Sequence, residues 1–165
     1  MTPTIARILL PTDFSQSSEW AIEYASSLAA SLGARVHLIH VIEDQFSHPG
    51  PYEFYVPESP ERRERAYQRA RTNLLSIVDR LAEVKIPGTA EVRSGTAVDG
   101  IVSAAVDYGA DLIVMSTHGR TGLQHLLMGS VAEQVIRRAR CPVFAVRHPA
   151  THGTAVVADV HGRVA

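Results

Sequence analysis

The segment "DLIVMSTHGRTGLQHLLMGSVAEQVIRRARCPVFAVR" (111–147) contains the pattern that decides the fold. A short apolar run, "DLIVMS" (111–116), leads into a glycine-containing connection, and a helix-patterned stretch begins at Ser130. A second apolar run, "PVFAVR" (142–147), follows that stretch. Short apolar runs bounded by polar residues are typical of buried strands, so this segment predicts a strand–helix–strand unit.

The same alternation extends toward the N-terminus. Three further runs predict strands: "ARILLPTD" (6–13), "RVHLIHVIE" (35–43) and the more polar "TAEVRSG" (89–95). Helix-patterned segments separate them, at about 17–32, 60–84 and 97–108. Strands that alternate with helices favour an α/β fold: a single Rossmann-like domain with a parallel sheet covered by helices on both faces. Right-handed crossovers then place the helix N-termini, and any ligand, at the carboxyl edge of the sheet.

Helical spacing predicts which residues face the core and which cap the helices. The inward residues predicted for the first two helices are Trp20, Tyr24, Leu28 and Leu32, then Leu74, Leu75, Val78 and Leu81. Thr96 with Asp99, and Ser130 with Glu133, have the spacing of a capping box. Thr96 and Ser130 are therefore predicted to begin their helices.

Two stretches depart from the alternation. Residues 44–60 contain four prolines and four aromatic residues and predict a long loop that acts as a lid or an interaction segment. Residues 148–165 follow the last clear strand and predict a C-terminal tail, in which "TAVVADV" could pair with a sheet edge, including that of another subunit. We therefore expect one domain, 1–147, followed by this tail.

Composition excludes several classes of function. The 165 residues suffice for one well-buried core, and 16 basic residues balance 17 acidic ones, so charge favours neither nucleic acid nor an anionic membrane as partner. The one cysteine, Cys141, excludes an internal disulfide and a cysteine-rich metal site. No signal peptide or bilayer-spanning run is evident, so we expect a cytoplasmic protein without a membrane partner.

The connection "STHGRTGLQHLLMGS" (116–130) has the features of a phosphate site without a lysine. Gly119 and Gly122 allow close approach of the backbone, and Gly129 precedes the helix, where a side chain could block an anion. Amides at a helix N-terminus bind anions, and the Ser130 hydroxyl can either cap the helix or bind a phosphate oxygen. The same residues also suit an ordinary turn, so both interpretations stay open on this segment alone.

Two strand ends add to the predicted site. Asp13 ends the first strand, where its carboxylate could accept a hydrogen bond from a ribose hydroxyl. Val41 ends the second strand, where its backbone could contact an adenine edge. His40 lies within an apolar run and is interpreted as a buried, hydrogen-bonded core histidine, and Cys141 as a small apolar residue.

With these residues, the chain resembles the universal stress protein family over about Ile5 to Arg147. The similarity depends on "ILLPTDFS", "VHLIHVIE" and the whole segment 111–147, in that order. It implies a five-stranded parallel sheet of strand order 3-2-1-4-5. It also implies a homodimer, formed through the 142–147 edge strand. The family has one branch that binds nucleotide and one that does not.

The nucleotide-binding branch has glycine, two residues, glycine, nine residues, then glycine followed by serine or threonine. Gly119, Gly129 and Ser130 match this pattern, whereas Ser116 stands where the first glycine is expected. The resemblance implies that Pro11, Thr12 and Asp13 flank adenosine, that Val41 and Met115 line the base, and that Val131 adds an amide to the phosphate site. His118 is interpreted as a turn residue or a hydrogen-bond donor beside the phosphates, and Arg120 as a charge near them.

Three functions therefore remain open. The resemblance favours a dimeric regulatory protein that binds ATP (or AMP or ADP), with Mg²⁺ held through the phosphates. Ser116 keeps open the second, a nucleotide-free interaction scaffold of the same fold. The third is a slow ATPase or phosphotransferase, which the lack of an assignable general base disfavours.

Overall fold

The computed structural model describes residues 4–43, 59–117 and 128–147, together with the backbone of 156–158. Six strands and four helices lie in these ranges: β1 Arg7–Pro11, α1 Gln16–Leu32, β2 Arg35–Glu43, α2 Pro60–Glu83, β3 Gly88–Gly95, α3 Ala97–Tyr108, β4 Leu112–Ser116, α4 Ser130–Arg138, β5 Val143–Val146 and β6 Val156–Ala158. The predicted loop 44–60, apart from its last two residues, lies outside the described residues, as does most of the tail.

One sheet joins all six strands in the order β3-β2-β1-β4-β5-β6. The first five strands are parallel, which confirms the predicted α/β fold and its 3-2-1-4-5 order. From β1 in the middle of the sheet, β2 and β3 are added on one side, and β4 and β5 are added on the other. The carboxyl ends of β1 and β4 therefore meet at the point where a sheet of this kind opens a ligand crevice.

The expectation that 142–147 forms the edge of the sheet is wrong for this chain. β6 pairs antiparallel with β5, with Phe144 opposite Val157 and Val143 opposite Ala158. The "TAVVADV" segment thus supplies the edge-pairing strand that its composition predicted, within its own chain. An unpaired edge with apolar residues favours aggregation, and β6 covers it.

The helices bury the two faces of the sheet in two separate cores. α1 and α2 cover one face, where Ile8, Leu10 and Leu38 are fully buried. α3 and α4 cover the other face, where Leu9 and Ile113 are fully buried. Side chains alternate between faces along a strand, so the uninterrupted apolar run of β1 fills both cores.

The inward faces of the first two helices differ in part from the prediction. α1 buries a stripe of small residues, Ala21, Ala25 and Ala29, together with Ile22, whereas Tyr24 and Leu32 are exposed. Trp20 and Leu28, predicted to face inward, do pack against the core at partial burial. Alanine allows a helix to lie close to the sheet, and Ile22 is the one large apolar side chain of α1 that is buried there.

The second helix buries Ala70, Leu74, Ile77 and Leu81. Leu74 and Leu81 were predicted to face inward, and Val78 packs against the core at partial burial. Leu75, also predicted inward, is exposed, because Ile77 continues the i, i+3, i+7 stripe in its place. Thr96 caps α3 as predicted by accepting a hydrogen bond from the Asp99 amide.

The amino edge of the sheet has its own side-chain clamp. The Asp111 carboxylate, just before β4, accepts hydrogen bonds from the amides of Ala6 at 3.0 Å and Arg7 at 2.9 Å. The Asp111 amide in turn donates to the Arg7 carbonyl at 2.9 Å. These bonds join the starts of β1 and β4, at the end of the sheet opposite the crevice.

Within the described ranges, we find no helix with the length and hydropathy needed to cross a membrane.

Candidate functional site

A cleft of about 770 Å³ opens at the carboxyl edge of the sheet, above the divergence of β1 and β4. Nine of the residues predicted for the site line it: Pro11, Thr12, Asp13, Val41, Met115, Ser116, Gly129, Ser130 and Val131. The other three, His118, Gly119 and Arg120, lie outside the described residues. The fold therefore brings residues from four separate sequence segments to one cavity.

The turn after β1 presents Asp13 to the cleft in a constrained conformation. Phe14 has a φ of 60°, in the left-handed region that an aromatic residue rarely adopts. The Phe14 amide donates to the Thr12 hydroxyl at 3.0 Å, and the Ser15 amide donates to Asp13 Oδ1 at 3.0 Å. The Thr12 hydroxyl also contacts the Ser18 hydroxyl at 3.1 Å in the interior. These bonds fix the direction in which the Asp13 carboxylate enters the cleft.

His40 supports this turn from β2. Its side chain is buried, and its Nδ1 lies 2.8 Å from the Thr12 carbonyl oxygen. Because a carbonyl oxygen only accepts, Nδ1 carries the proton of this bond. The imidazole also packs against the Phe14 ring, with 4.5 Å between centroids. His40 is thus the hydrogen-bonded interior histidine that the sequence predicted, and it also lines the cleft.

The opposite wall of the cleft is apolar and comes from β2, β4 and α3. Val41, Ile101 and Met115 lie there. A Cβ added at Gly100, in the first turn of α3, would lie 2.6 Å from Val41 Cγ2 and 3.1 Å from Cγ1. The absence of a side chain at Gly100 therefore lets α3 lie against Val41 and defines this wall.

The amino terminus of α4 forms one end of the cleft, and here the capping prediction is wrong. The N-cap is Gly129, with extended backbone and no side-chain hydrogen bond to the helix, and Ser130 is already the first helical residue. Glu133 does not complete a capping box but forms an ion pair with Arg137 at 2.9 Å. Since glycine offers no side-chain acceptor, the first-turn amides keep their capacity for an external anion.

A backbone bond holds this helix end beside β4. The Gly129 amide donates to the Thr117 carbonyl at 2.7 Å, and the Thr117 amide donates to the Val146 carbonyl at 2.9 Å. Ser116, the residue that departs from the family pattern, is half-buried and lines the cleft next to this junction.

α2 forms a wall of the cleft that the sequence did not predict. Ala66, Arg69, Ala70 and Asn73 line the cavity from this helix. The alternating charges of "ERRERAYQRAR" (61–71) are typical of a solvated helix face. Positions 66, 69, 70 and 73 nevertheless share one face at i, i+3, i+4 and i+7 spacing, and this spacing is the signal that could have revealed the wall.

An exposed ion pair outside the cleft lining joins α3 to α4. Asp99, in the first turn of α3, has its pKa lowered by the hydrogen bond from the Thr96 hydroxyl and by that from Arg138. Arg138 lies at the end of α4, so this exposed ion pair connects the two helices. Among the described residues, no group of three or more histidine, cysteine or acidic side chains could hold a metal ion.

Comparison with known proteins places this architecture in a family. A sequence model of the universal stress protein family matches residues 4–147. The chain belongs to the universal stress protein family. A universal stress protein of Methanocaldococcus jannaschii is 35% identical over 150 residues, which cover 87% of this chain and 82% of the relative. The resemblance drawn from the sequence motifs is confirmed.

Solved structures of the universal stress protein fold agree with this assignment. That of a second M. jannaschii universal stress protein has a TM-score of 0.76 at 30% identity, covering 88% of this chain and 97% of that one. A universal stress protein in complex with cAMP has a TM-score of 0.62 at 22% identity, covering 86% of this chain and 96% of that one. An Archaeoglobus fulgidus universal stress protein in complex with dAMP has a TM-score of 0.59 at 22% identity, covering 87% and 98%. The last two share the fold.

Proposed function

We propose that this universal stress protein binds ATP, or AMP or ADP, in the cleft and acts as a dimeric, cytoplasmic regulatory protein that responds to the nucleotide. One observation carries the proposal: the cleft joins a helix N-terminus capped by glycine to a fixed carboxylate, Asp13, at the crevice where β1 and β4 diverge. Crevices at this position of an open parallel sheet are where such folds bind ligands.

The dimensions and chemistry of the cleft fit a nucleotide. Its volume of about 770 Å³ lies within the range of roughly 300–1,000 Å³ usual for small-molecule sites. The α4 amides would bind phosphate oxygens, and Asp13 would accept a hydrogen bond from a ribose hydroxyl. The apolar wall at Val41 and Met115 suits the face of a base. cAMP and dAMP, bound by proteins of the same fold, are adenine nucleotides as well.

Mg²⁺ would enter this site with the nucleotide. The described residues offer no cluster of metal ligands, and Mg²⁺ is commonly held through substrate phosphates with only one or two carboxylates. We therefore propose that phosphate oxygens supply most of its ligands.

Ser116 favours a second candidate, a nucleotide-free interaction scaffold. Its side chain stands at the cleft in the position where the nucleotide-binding branch has glycine. A serine side chain there reduces the space beside the phosphates.

Gly129→Asp separates the two candidates. An aspartate at the N-cap accepts hydrogen bonds from the same amides that would bind phosphate, and its charge repels the nucleotide. We expect the variant to keep its thermal stability and to lose roughly 10- to 100-fold in ATP affinity by titration calorimetry, since hydrogen bonds to a charged group contribute about 1.5–3 kcal/mol. Wild-type protein purified and heat-denatured should release adenine nucleotide.

Gly129→Ala is the matched control, because it adds a Cβ without an acceptor or a charge. It should lose less affinity than Gly129→Asp. Equal ATP affinity in wild type and Gly129→Asp would contradict a phosphate site at α4. A folded wild type that neither releases nor binds adenine nucleotide would support the scaffold instead.

A further inference from the structure

Two polar side chains on the α2 wall have no assigned role. Arg69 and Asn73 line the cleft, separated by one helical turn, with the small residues Ala66 and Ala70 beside them. Within the described part of the chain, neither the Arg69 nor the Asn73 side chain makes an ion pair or a hydrogen bond. A guanidinium and a primary amide that border a cavity with no protein partner retain their hydrogen-bonding groups for a ligand.

The topology separates this wall from the proposed phosphate site. α4 follows β4 and packs on one face of the sheet, whereas α2 follows β2 and packs on the other face. From α4 to α2, the cleft crosses the carboxyl ends of β4, β1 and β2 in turn. A ligand whose phosphates lie at α4 and whose sugar lies at Asp13 therefore points its other end toward β2 and α2.

The charges on the α2 side match a neutral ligand end better than a second phosphate. Two carboxylates, Asp13 and Glu43, line this half of the cleft together with one guanidinium, Arg69. Their formal charges sum to −1, which disfavours an additional anion. Arginine donates hydrogen bonds only, and asparagine both donates and accepts, so the pair suits sugar hydroxyls and the nitrogen atoms of a base.

We propose that Arg69 and Asn73 bind the nucleoside end of the ligand and determine affinity for the nucleoside independently of the phosphates. This inference rests on the proposed nucleotide function and extends the binding site to α2. It assigns the cleft two recognition elements: backbone amides at α4 for the phosphates, and side chains on α2 for the nucleoside.

The test compares variants across a series of ligands that differ only in phosphate number. Affinities of the full-length protein for ATP, ADP and AMP are measured by calorimetry, and that for adenosine by displacement of a fluorescent ATP analogue. We expect Arg69→Ala to lower the affinity for all four ligands alike, by about fivefold, which is equivalent to the loss of one hydrogen bond. Asn73→Ala should lower the affinity for each of the four ligands by about threefold. Arg69→Lys keeps the charge but loses the planar guanidinium group, so its affinities should lie between those of wild type and Arg69→Ala.

Arg71→Ala is the matched control. Arg71 is exposed on the same helix, does not line the cleft and makes no ion pair among the described residues, so its removal changes net charge equally. Its affinities should stay within about twofold of wild type, because exposed charges beyond the contact distance are screened by salt. Circular dichroism establishes that each variant is folded, and both cleft positions are exposed ones where alanine suits a helix.

Three results with the variants would overturn the proposal. A loss in Arg69→Ala that grows from adenosine to ATP would place Arg69 at the phosphates. An equal loss in Arg71→Ala would show a general effect of charge, and unchanged affinities in Arg69→Ala and Asn73→Ala would remove α2 from the site. The last result, together with a loss of ATP affinity in Gly129→Asp, would leave the proposed nucleotide function standing without this extension. A wild type that binds none of the four ligands would overturn both.

Discussion

Phe14 shows how single residues maintain the turn that presents Asp13. A non-glycine residue in the left-handed region costs about 1–3 kcal/mol and persists only where its surroundings impose it. Here the Thr12 hydroxyl accepts from the Phe14 amide, and the buried His40 packs against the Phe14 ring. The conformation of the turn therefore depends on local side-chain hydrogen bonds from Thr12 and Asp13, together with tertiary contacts from β2 and α1.

Replacing Thr12 tests this dependence. Thr12→Val keeps the shape of the side chain but leaves the Phe14 amide without its acceptor. The Ser18 hydroxyl loses the bond that it accepts from Thr12 and keeps the one that it donates to the Ser15 carbonyl. We expect the free energy of unfolding, measured in urea, to fall by about 1–3 kcal/mol, the cost of unsatisfied buried polar groups. Nucleotide affinity should also fall, because the turn that carries Asp13 loses one of its two local hydrogen bonds.

Thr12→Ser retains the hydroxyl and serves as the control for this variant. It should bind nucleotide nearly as tightly as wild type, with only a small loss of stability from the missing methyl group. If Thr12→Ser and Thr12→Val bind equally, the hydroxyl does not position the turn.

The sequence predicted the residues at strand ends better than those elsewhere in the cleft. Asp13 and Val41 follow from the rule that the carboxyl ends of parallel strands meet at one edge, whereas Met115 was implied by the family resemblance. The Ser130 cap was wrong, because the capping-box spacing does not reveal that the preceding glycine occupies the N-cap. Helical spacing places Arg69 and Asn73 on one face of α2, but it does not show that this face lines the cleft, since that depends on how α2 lies across β2.

At the scale of elements, the contact between α3 and β2 sets the apolar wall of the cleft. Alanine in place of glycine usually stabilises a helix by about 0.5–1 kcal/mol. At Gly100, however, the new Cβ would lie 2.6 Å from Val41 Cγ2 and 3.1 Å from Cγ1. Rotation of the Val41 side chain can take one methyl group out of this contact but leaves the other near the new Cβ, so the residue must also shift.

We therefore expect Gly100→Ala to destabilise the protein by about 1–3 kcal/mol, the usual cost of overpacking. It should also weaken nucleotide binding, because Val41 shifts into the cleft. Unfolding in urea and calorimetric titration with ATP measure the two effects.

The double variant Gly100→Ala/Val41→Ala removes the clash and supplies the control. It should be more stable than the sum of the two single changes predicts, which gives a positive coupling in a double-mutant cycle. Additive effects would mean that α3 moves away from β2 instead.

Pattern and periodicity predicted the helices and strands within a few residues, but not all of their buried faces. The bounds of β2 and α3 agree with the prediction because polar residues or caps flank both. For α1, helical spacing predicts the large apolar residues as the core face, whereas the structure buries mainly the alanines together with Ile22. Periodicity counts apolar positions and does not show that close packing against a sheet favours small ones.

At the scale of the whole molecule, β6 determines how two copies could associate. We propose a homodimer in which β5 of one copy pairs with β5 of the other, as the family resemblance implies. In the single chain β6 covers β5 through three paired positions. Such a short antiparallel strand is weakly held, so β6 and a second copy would compete for the same edge.

Val157→Pro tests this competition, because proline cannot donate a hydrogen bond to the ladder. We expect the variant to form dimers at a lower protein concentration than wild type, measured by light scattering coupled to size exclusion. Phe144→Lys should shift the mass toward the monomer, since a symmetric pair would place like charges close together.

Val106→Lys, at an exposed position on α3, is the control for added charge and should leave the mass unchanged. A dimer that persists in Phe144→Lys would place the interface elsewhere. If dimers of wild type and Val157→Pro dissociate at the same protein concentration, β6 does not compete with a second copy for β5.

The sheet order at this scale was predictable from the family resemblance, and the parallel arrangement from alternation alone. The position of β6 was predictable only as a choice between two edges, its own or a partner's. A strand with three paired residues is too short for its sequence pattern to show whether it pairs within its own chain or with a second copy.

The Asp111 clamp has a consequence for how this protein can diverge. It secures β1 to β4 at the end of the sheet remote from the cleft. Substitutions that change ligand preference can therefore accumulate around the cleft while these hydrogen bonds continue to stabilise the sheet. In relatives with an acidic residue at this position, all residues that line the cleft should be exchangeable between proteins. A chimera made in this way should unfold at a temperature close to that of its parent.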